Sequence, residues 1–447
     1  MSNKNFKLPP QDIEAENSIL GSLLIDKNAI IRIADSLVAA DFYHPANQLI
    51  FKTIVSLFEK NQPIDLLTVS ARLKEEKRIK DVGGAKYLAE LVNSVPTSAH
   101  VAHYANIVRE KRIRRDLIKA ASEINENALE HDDFENLLDR VEEKIFGISE
   151  KSRIQKFIHI KDELPGAYER FEKIQQSGEG KLRGVPTSFP QLDNILSGLQ
   201  KSDLIIVGAR PSFGKTAFCL DISRQAALLG HTVGVFSLEM SREQVIDRLI
   251  SSQAQLSLFR LRSGRLRDDM EFTLIQQALD ELSRVPLFID DTSSPNILQI
   301  RSMARRLQMD YGLDLLLIDY LQLIQPRTTN DNMVQQITEI SRGLKSLARE
   351  LNIPVIAVSQ LSRNVEQREI KIPKLSDLRE SGSLEQDADV VMFLYRKDRE
   401  RTDVPEEEQN MVEIIVAKHR NGPLGSVKLK FDPEKVSFRS LDTRHTA

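Results

Sequence analysis

The chain has 447 residues, of which 41% are hydrophobic and 28% are charged. That balance is typical of a globular protein, and the length is too great for one ordinary core, so we expect about two or three domains. The formal net charge of −3 means that any nucleic-acid binding must come from local basic patches.

The single cysteine, Cys219, excludes a disulfide within the chain and argues strongly against a cysteine-based zinc site. The first 20 residues contain no apolar core of signal-peptide length. No uninterrupted apolar run approaches the length of a membrane span. We therefore expect a cytoplasmic protein that does not enter a membrane.

Residues 1–150 are predicted to form a mostly helical N-terminal domain. In the segment IEAENSILGSLLI the apolar residues share one helical face, and Asp12 is positioned to cap the helix. A long periodic segment at 102–130 and the later segment FENLLDRVEEKIFGI predict a helical hairpin over about 102–150. The residues of the first apolar face are Ile13, Ile19, Leu20, Leu23 and Leu24.

Residues 151–183 have the composition of a linker. The polar segment SGEGKLR contains two glycines, and AYERFEKIQQ before it can form one short amphipathic helix. A short helix between flexible ends suggests a tethered docking element, although a plain spacer would have the same pattern.

From residue 184 to residue 447, short apolar runs alternate with helical segments. This alternation predicts an α/β core in which a parallel sheet is covered by helices on both faces. The predicted strands are DLIIVGA, TVGVFSL, LFIDD, DLLLIDYL, IPVIAVSQ, DVVMFLY and VEIIVAKH.

The first of these strands runs into ARPSFGKT, and a helix follows. A strand, a glycine-containing loop, Lys-Thr and a helix form the context of a phosphate-binding loop, in which Lys215 contacts the β- and γ-phosphates and Thr216 holds Mg²⁺. The strict pattern has glycine at position 209, where this chain has alanine, although alanine is small enough for the loop to close. The alternative is a chance match in an ordinary turn. The predicted nucleotide-binding residues are Ala209, Arg210, Pro211, Ser212, Phe213, Gly214, Lys215, Thr216 and Ala217.

Three later strands end in polar residues that would meet this loop at the carboxyl edge of the sheet. LLLID ends in Asp319, which is predicted to join the metal shell. Glu239 follows TVGVFSL and is a candidate base for the attacking water, or else an acid of the next helix's first turn. Gln360 ends IPVIAVSQ and is either a γ-phosphate sensor or a surface residue.

The motifs of the chain resemble those of the DnaB family of replicative helicases. The motifs that carry the resemblance follow the family's order over residues 184–425, and two N-terminal segments extend it to almost the whole chain. Ser188 departs from the glycine expected there, but it lies outside the nucleotide motifs. The segments are PPQDIEAENSILGSLL, HYANIVREKRIRRDLIKAASEI, GVPTSFPQLDNILSGLQKSDLIIVGARPSFGKTAF, FSLEMS, LLLIDYLQLI, VIAVSQLSR, LSDLRESGSLEQDADVVMFLYR and VAKHRNGPLG.

The resemblance implies the nucleotide roles given above and two further groups of residues. Lys418 and Arg420, two residues apart at a strand end, would reach the neighbouring subunit's nucleotide, with Arg420 as an arginine finger. The alternative is a pair of solvated charges. The polar loop LRESGSLEQDAD would bind the backbone of single-stranded DNA through Arg379, Glu380 and Gly382, or else be a plain connection.

For the whole protein, the resemblance implies a RecA-like P-loop ATPase core with an all-α N-terminal domain. It implies a homohexameric ring that uses ATP and Mg²⁺ to move 5′ to 3′ on single-stranded DNA and to unwind forked duplex DNA. Primase and a helicase loader are the implied protein partners. One alternative is a RecA-like recombinase that assembles as a filament; the single cysteine excludes the four-cysteine zinc site of the RadA type. The other is a non-enzymatic replication scaffold.

Overall fold

The computed structural model describes residues 8–95, 97–130, 159–176, 182–326, 333–362, 371–399 and 408–441, with isolated positions at 137, 141, 144, 145, 147, 148, 365, 368 and 405. The chain divides into two compact units, Met1–Glu163 and Leu164–Ala447. Across the described ranges, no helix combines the length and the apolar character that crossing a membrane requires.

The N-terminal unit is helical, as predicted. The cap on its first helix is confirmed, because the carboxylate of Asp12 accepts a hydrogen bond from the main-chain N–H of Ala15 at 3.0 Å. Four of the five residues predicted to share one face of that helix, at positions 19, 20, 23 and 24, are buried in the core of this unit. The helices are α1 (Ile13–Ile25), α2 (Pro45–Glu59), α3 (Leu66–Glu75), α4 (Gly84–Asn93) and α5 (Val101–Glu130), with short 3-10 helices at Ile30–Arg32 and Ala39–Asp41.

The first arm of the predicted hairpin is α5. Most of the second arm, FENLLDRVEEKIFGI, lies outside the described residues, although Lys144 within it contacts the carboxylate of Glu123 on α5. The helix predicted in the linker is longer than expected: α6 spans Ile160–Gln176 and includes Pro165, whereas the sequence indicated only residues 167–176.

A single mixed sheet forms the centre of the second unit. Within the described residues it has nine strands in the order β3-β2-β4-β5-β1-β6-β7-β8-β9. The six strands from β3 to β6 are parallel, as predicted, whereas β7 pairs antiparallel with β6, and β8 and β9 extend the antiparallel part. The strands are β1 (Leu204–Ala209), β2 (Val233–Ser237), β3 (Leu287–Asp290), β4 (Leu315–Asp319), β5 (Val355–Gln360), β6 (Val390–Tyr395), β7 (Met411–His419), β8 (Gly425–Asp432) and β9 (Ser437–Ser440).

Helices cover both faces of this sheet, as predicted. Alternate residues of β1 enter opposite cores: Ile205 and Val207 pack on the side of α7 and α8, and Leu204 and Ile206 pack on the side of α12, α13 and α14. The helices of this unit are α7 (Pro190–Leu196), α8 (Lys215–Leu228), α9 (Arg242–Ala254), α10 (Leu258–Ser263), α11 (Asp269–Ser283), α12 (Ile297–Tyr311), α13 (Met333–Leu351) and α14 (Gly382–Asp387).

The segment LRESGSLEQDAD, predicted to be a loop, is helical instead. A 3-10 helix over Leu375–Ser381 leads directly into α14. Leu378 and Leu384 are buried against the sheet, and this burial anchors the polar segment and favours the helical backbone over an open loop.

Candidate nucleotide-binding site

The motif segments meet at one edge of the sheet. In the parallel register Ala209 at the end of β1 lies beside Gln360 at the end of β5, and Ser237 at the end of β2 lies beside Asp319 at the end of β4. The sheet therefore brings the phosphate-loop strand and the three predicted polar strand ends to its carboxyl edge, the usual ligand position in open α/β sheets.

The loop between β1 and α8 has the backbone that phosphate binding needs. Gly214 is left-handed (φ +92°) and a Cβ there would lie 3.1 Å from the ring of Phe438, so both the conformation and the space favour glycine. Ala209, the departure from the strict pattern, is the buried last residue of β1, where a methyl group is accommodated. The N-terminus of the 14-residue α8 follows and offers free N–H groups to an anion.

Lys215 holds a buried ammonium at the first position of α8. Its side chain is 9% exposed, and no acceptor in the described part of the chain forms a hydrogen bond with Nζ. The closest charged group is Oε2 of Glu239 at 3.8 Å, and the ring of Tyr320 lies with its centroid 4.2 Å from Nζ. A buried ammonium without hydrogen bonds is costly, so this arrangement fits a site built to receive an anionic ligand.

Asp319 lies beside Lys215 and is also incompletely paired. Burial raises the pKa of its carboxyl group, while a hydrogen bond from Thr216 and the charge of Lys215 act in the opposite direction. Its Oδ1 is buried and meets no hydrogen-bond donor among the described residues. A free carboxylate oxygen next to the Thr216 hydroxyl is the donor set that Mg²⁺ shares with substrate phosphates.

The described residues contain no cluster of three or more His, Cys, Asp or Glu side chains that could hold a metal ion.

Glu239 lies between β2 and α9 and is not part of the following helix. Ser241 caps α9 by accepting from Gln244 N, and the acid in the first helical turn is Glu243. The Glu239 side chain is 48% exposed and faces Lys215, so it is accessible to a water molecule at the phosphate position. Its placement therefore favours the interpretation as a base over that of a helix-terminal acid.

Gln360 is half-buried at the end of β5, next to the start of the phosphate loop. The side-chain amide of Gln322, in a 3-10 helix just after β4, donates to Ser359 Oγ at 3.0 Å and to the Gln360 carbonyl at 3.4 Å. Gln322 thus links the ends of β4 and β5.

Sequence reasoning missed Arg248, Tyr320 and Gln322. Arg248 on α9 interacts electrostatically with both Asp319 and Glu239, and burial lowers its pKa. Tyr320 directly follows Asp319 and was recognisable only as part of that motif. Arg248 lies in no phosphate-binding motif, so only the fold reveals its position.

Lys418 and Arg420 are at the opposite, amino edge of the sheet. Arg420 N donates to the carbonyl of Asp389 at 2.8 Å, and Asp389 in turn contacts the first residue of β1, Leu204, through Oδ2 at 2.8 Å. The six residues of β1 separate this edge from the phosphate loop by about 17–20 Å, which is farther than an arginine side chain reaches. The structure therefore does not bring these two residues to the chain's own site.

The three predicted DNA-binding residues are consecutive or nearly so in the segment before β6. The backbone of Arg379 and Glu380 belongs to the 3-10 helix Leu375–Ser381, and their side chains lie outside the described part of the structure. Gly382 is exposed at the start of α14.

This combination of a parallel sheet, a glycine-terminated loop, a buried lysine and an acid on the adjacent strand end defines the class of RecA-like P-loop ATPases. Comparisons with known proteins narrow the class. A family model described as the DnaB-like helicase C terminal domain matches residues 184–440, and the DnaB-like helicase N terminal domain matches residues 8–110. The chain belongs to the DnaB-like helicase family.

Individual relatives agree with this assignment. The replicative DNA helicase DnaB of Geobacillus stearothermophilus is 44% identical over 98% of this chain and 96% of its own length. The replicative DNA helicase DnaC of Bacillus subtilis (strain 168) is 43% identical over 98% of this chain and 97% of its own. A solved DnaB-like replicative helicase, studied with its interactions with primase, matches with a TM-score of 0.79 and 34% identity, covering 96% of this chain and 100% of that structure.

Proposed function

We propose that this protein is a replicative DNA helicase, in which a ring of identical subunits uses ATP hydrolysis to move along single-stranded DNA and to separate duplex DNA at the fork. Membership of the DnaB-like helicase family gives the activity. The observation that carries the chemistry is a pair of buried atoms without a hydrogen-bond partner in the described residues, Lys215 Nζ at the start of α8 and Asp319 Oδ1 at the end of β4.

In this proposal the phosphate loop binds ATP through main-chain N–H groups within residues 209–217, Pro211 excepted, and Lys215 neutralises the β- and γ-phosphate oxygens. Thr216 and Asp319 would hold Mg²⁺, which supplies positive charge at the phosphates when it is bound. Desolvation strengthens these interactions, because the ammonium and the carboxylate are both buried.

Glu239 orients the attacking water and accepts its proton, since it is exposed and lies beside the lysine that marks the phosphate position. Gln360 senses the γ-phosphate from the end of β5, and its link through Gln322 would transmit that contact to the strand bearing Asp319.

Arg420 completes the site of a neighbouring subunit as an arginine finger, with Lys418 beside it. Its distance from the chain's own phosphate loop supports action between subunits. A ring repeats one head-to-tail contact, and in this proposal that contact joins one subunit's amino edge to the next subunit's nucleotide. The homohexamer expected from the family resemblance has this kind of contact.

Arg379, Glu380 and Gly382 contact the DNA backbone in the channel of the ring. Arg379 acts by charge, Gly382 through its main-chain N–H, and Glu380 either through its main-chain N–H or by positioning Arg379. The domain organisation proposed is a helical domain over 1–150, a linker over 151–183 and the ATPase domain over 184–447. The N-terminal domain and linker contact primase and a loader. We place this activity in the cytoplasm.

Unwinding of a forked duplex tests the proposal. Wild-type protein should separate a duplex with a 5′ single-stranded tail when ATP and Mg²⁺ are present, and a duplex with only a 3′ tail should remain paired. Lys215→Ala serves as the inactive control. Absence of ATP-dependent unwinding, together with ATPase activity that does not respond to single-stranded DNA, would instead favour a replication scaffold.

A further inference from the structure

Four charged side chains meet at the amino edge of the sheet: Asp203, Lys345, Asp389 and Arg420, called here the edge cluster. Asp389 is its centre, and its side chain is 5% exposed. Oδ2 accepts from Leu204 N at 2.8 Å and contacts the ammonium of Lys345, while Oδ1 lies 3.3 Å from Nη1 of Arg420. Every oxygen of this buried carboxylate therefore has a partner.

Asp389 holds Arg420 at two points. The main-chain N–H of Arg420 donates to the Asp389 carbonyl at 2.8 Å, and the guanidinium contacts the Asp389 carboxylate. Beyond these contacts the Arg420 side chain is 54% exposed. An arginine side chain samples many rotamers, so a fixed carboxylate at its base reduces the number of directions that it samples.

Asp389 also ends the segment that carries the proposed DNA contacts. That segment begins near the carboxyl edge, where Asp377 accepts from Ser362 N at 3.1 Å, and it reaches the amino edge through α14. Lys418 secures its end, because its ammonium donates to the carbonyls of Glu385 at 2.6 Å and Ala388 at 2.7 Å. The protein segment proposed to bind DNA and the proposed arginine finger, Arg420, are therefore both fixed at Asp389.

We propose that Asp389 is a positioning residue for the arginine finger. It fixes the base of Arg420 relative to the protein segment that carries the proposed DNA contacts, so that the guanidinium faces the neighbouring subunit's nucleotide. This inference rests on the proposed role of Arg420 in trans. Asp389 touches neither nucleotide nor DNA in this account and acts only through Arg420.

The variant Asp389→Asn tests positioning with a small change in shape, because asparagine keeps an oxygen for Leu204 N and removes the charge that faces Arg420 and Lys345. Asp314→Asn is the matched control. Asp314 also precedes a strand by one residue and accepts a main-chain N–H, that of Thr232 at 3.0 Å, but its ionic neighbour is His231. Both variants should form rings. Asp314→Asn should keep an unfolding midpoint close to that of the wild type, and Asp389→Asn should lower the midpoint because Lys345 loses its carboxylate partner.

In assays of DNA-stimulated ATPase activity, Asp389→Asn should lower kcat about tenfold with KM for ATP changed less than about twofold, since ground-state binding is untouched. Asp314→Asn should match the wild type. The double variant Asp389→Asn/Arg420→Ala should be no slower than Arg420→Ala, because both changes remove the same interaction.

The outcomes distinguish the two proposals. If Arg420→Ala retains wild-type ATPase activity, the finger role itself fails. If Arg420→Ala is slow while Asp389→Asn matches Asp314→Asn, or if the losses multiply in the double variant, the positioning role is overturned and the finger stands. Should Asp389→Asn not fold, Asp389→Glu keeps the charge but displaces the carboxylate; an intermediate kcat with unchanged KM supports the proposal, and a wild-type kcat contradicts it.

Discussion

The two edges of the parallel sheet differ in how their charged side chains are paired. At the carboxyl edge, Lys215 and Asp319 are buried with polar atoms that have no hydrogen-bond partner in the described chain. At the amino edge, the Asp389 carboxylate and the Lys418 ammonium are hydrogen-bonded within the chain. Buried polar groups without partners indicate a ligand site, whereas satisfied ones indicate a rigid support. The difference fits the proposal that one chain supplies two unlike halves of a catalytic site.

The largest effect should come from removing the buried charge at the carboxyl edge. Lys215→Ala should reduce ATP turnover at least about a hundredfold, because it removes the buried ammonium proposed to contact the β- and γ-phosphates. Fold and ring assembly should be retained. Steady-state ATPase assays and the unfolding midpoint check this, with Lys201→Ala, an exposed lysine just before β1, as the control. Turnover in Lys215→Ala close to that of Lys201→Ala would show that the buried lysine does not act on the phosphates.

Glu239→Gln should bind ATP normally and hydrolyse it about 10²–10⁴-fold more slowly, as expected when a general base is lost. The matched change is Glu243→Gln, four residues later in the first turn of α9, which should leave turnover unaltered. Nucleotide binding and single-turnover hydrolysis separate the two steps. Equal rates in the two variants would remove Glu239 from the role of base.

Arg379→Ala tests the segment that leads to the amino edge. It should weaken single-stranded DNA binding to a similar extent for all sequences and reduce the slope of log affinity against log salt by about one phosphate contact. Titrations at several salt concentrations measure both quantities. Arg399→Ala, an exposed arginine in another 3-10 helix, is the control. A sequence-selective loss would contradict a backbone contact.

The smallest effect concerns Asp203 in the edge cluster. Burial, and then the charge of Asp389, raise the pKa of Asp203 to about 6. Protonation of Asp203 therefore favours the folded state. The stabilisation that it gives is complete below about pH 4 and is lost as the pH rises through about 6.

Asp203→Asn, which stays neutral, should accordingly stabilise the protein at pH 8 by about 1 kcal/mol, after a discount for solvent screening, and have little effect at pH 4. Unfolding midpoints across this range measure the difference, with Asp314→Asn as the control. A stabilisation that did not change with pH would show that the surroundings of Asp203 do not raise its pKa.

Local sequence patterns predicted the parts of the site that are continuous in the chain. The phosphate loop and the three polar strand ends could be predicted because a strand, its turn and the next residues occupy one place in a parallel sheet. Arg248 could not, because a helix brings it to Asp319 without any motif. The segment before β6 was wrongly predicted as a loop, since its two buried leucines at 378 and 384 are widely spaced among polar residues.

Two of the antiparallel strands, β8 and β9, were not predicted from the sequence. In β8 the buried residues Val427, Leu429 and Phe431 alternate with exposed ones, which is the period of a half-buried strand. That signal was present in GSVKLKFD. The position of Arg420, in contrast, depends on β7 running antiparallel to β6, and no local pattern specifies that direction.

In the proposed ring, each ATPase site combines the carboxyl edge of one subunit with the amino edge of the next. Co-assembly of Lys215→Ala and Arg420→Ala subunits measures this most directly. Each variant alone should be nearly inactive, but random mixing pairs an intact loop with an intact finger at about a quarter of the interfaces. ATPase activity should therefore appear on mixing, in rings shown by differential tags to contain both variants. If such rings remain at the level of the single variants, Arg420 does not act between subunits.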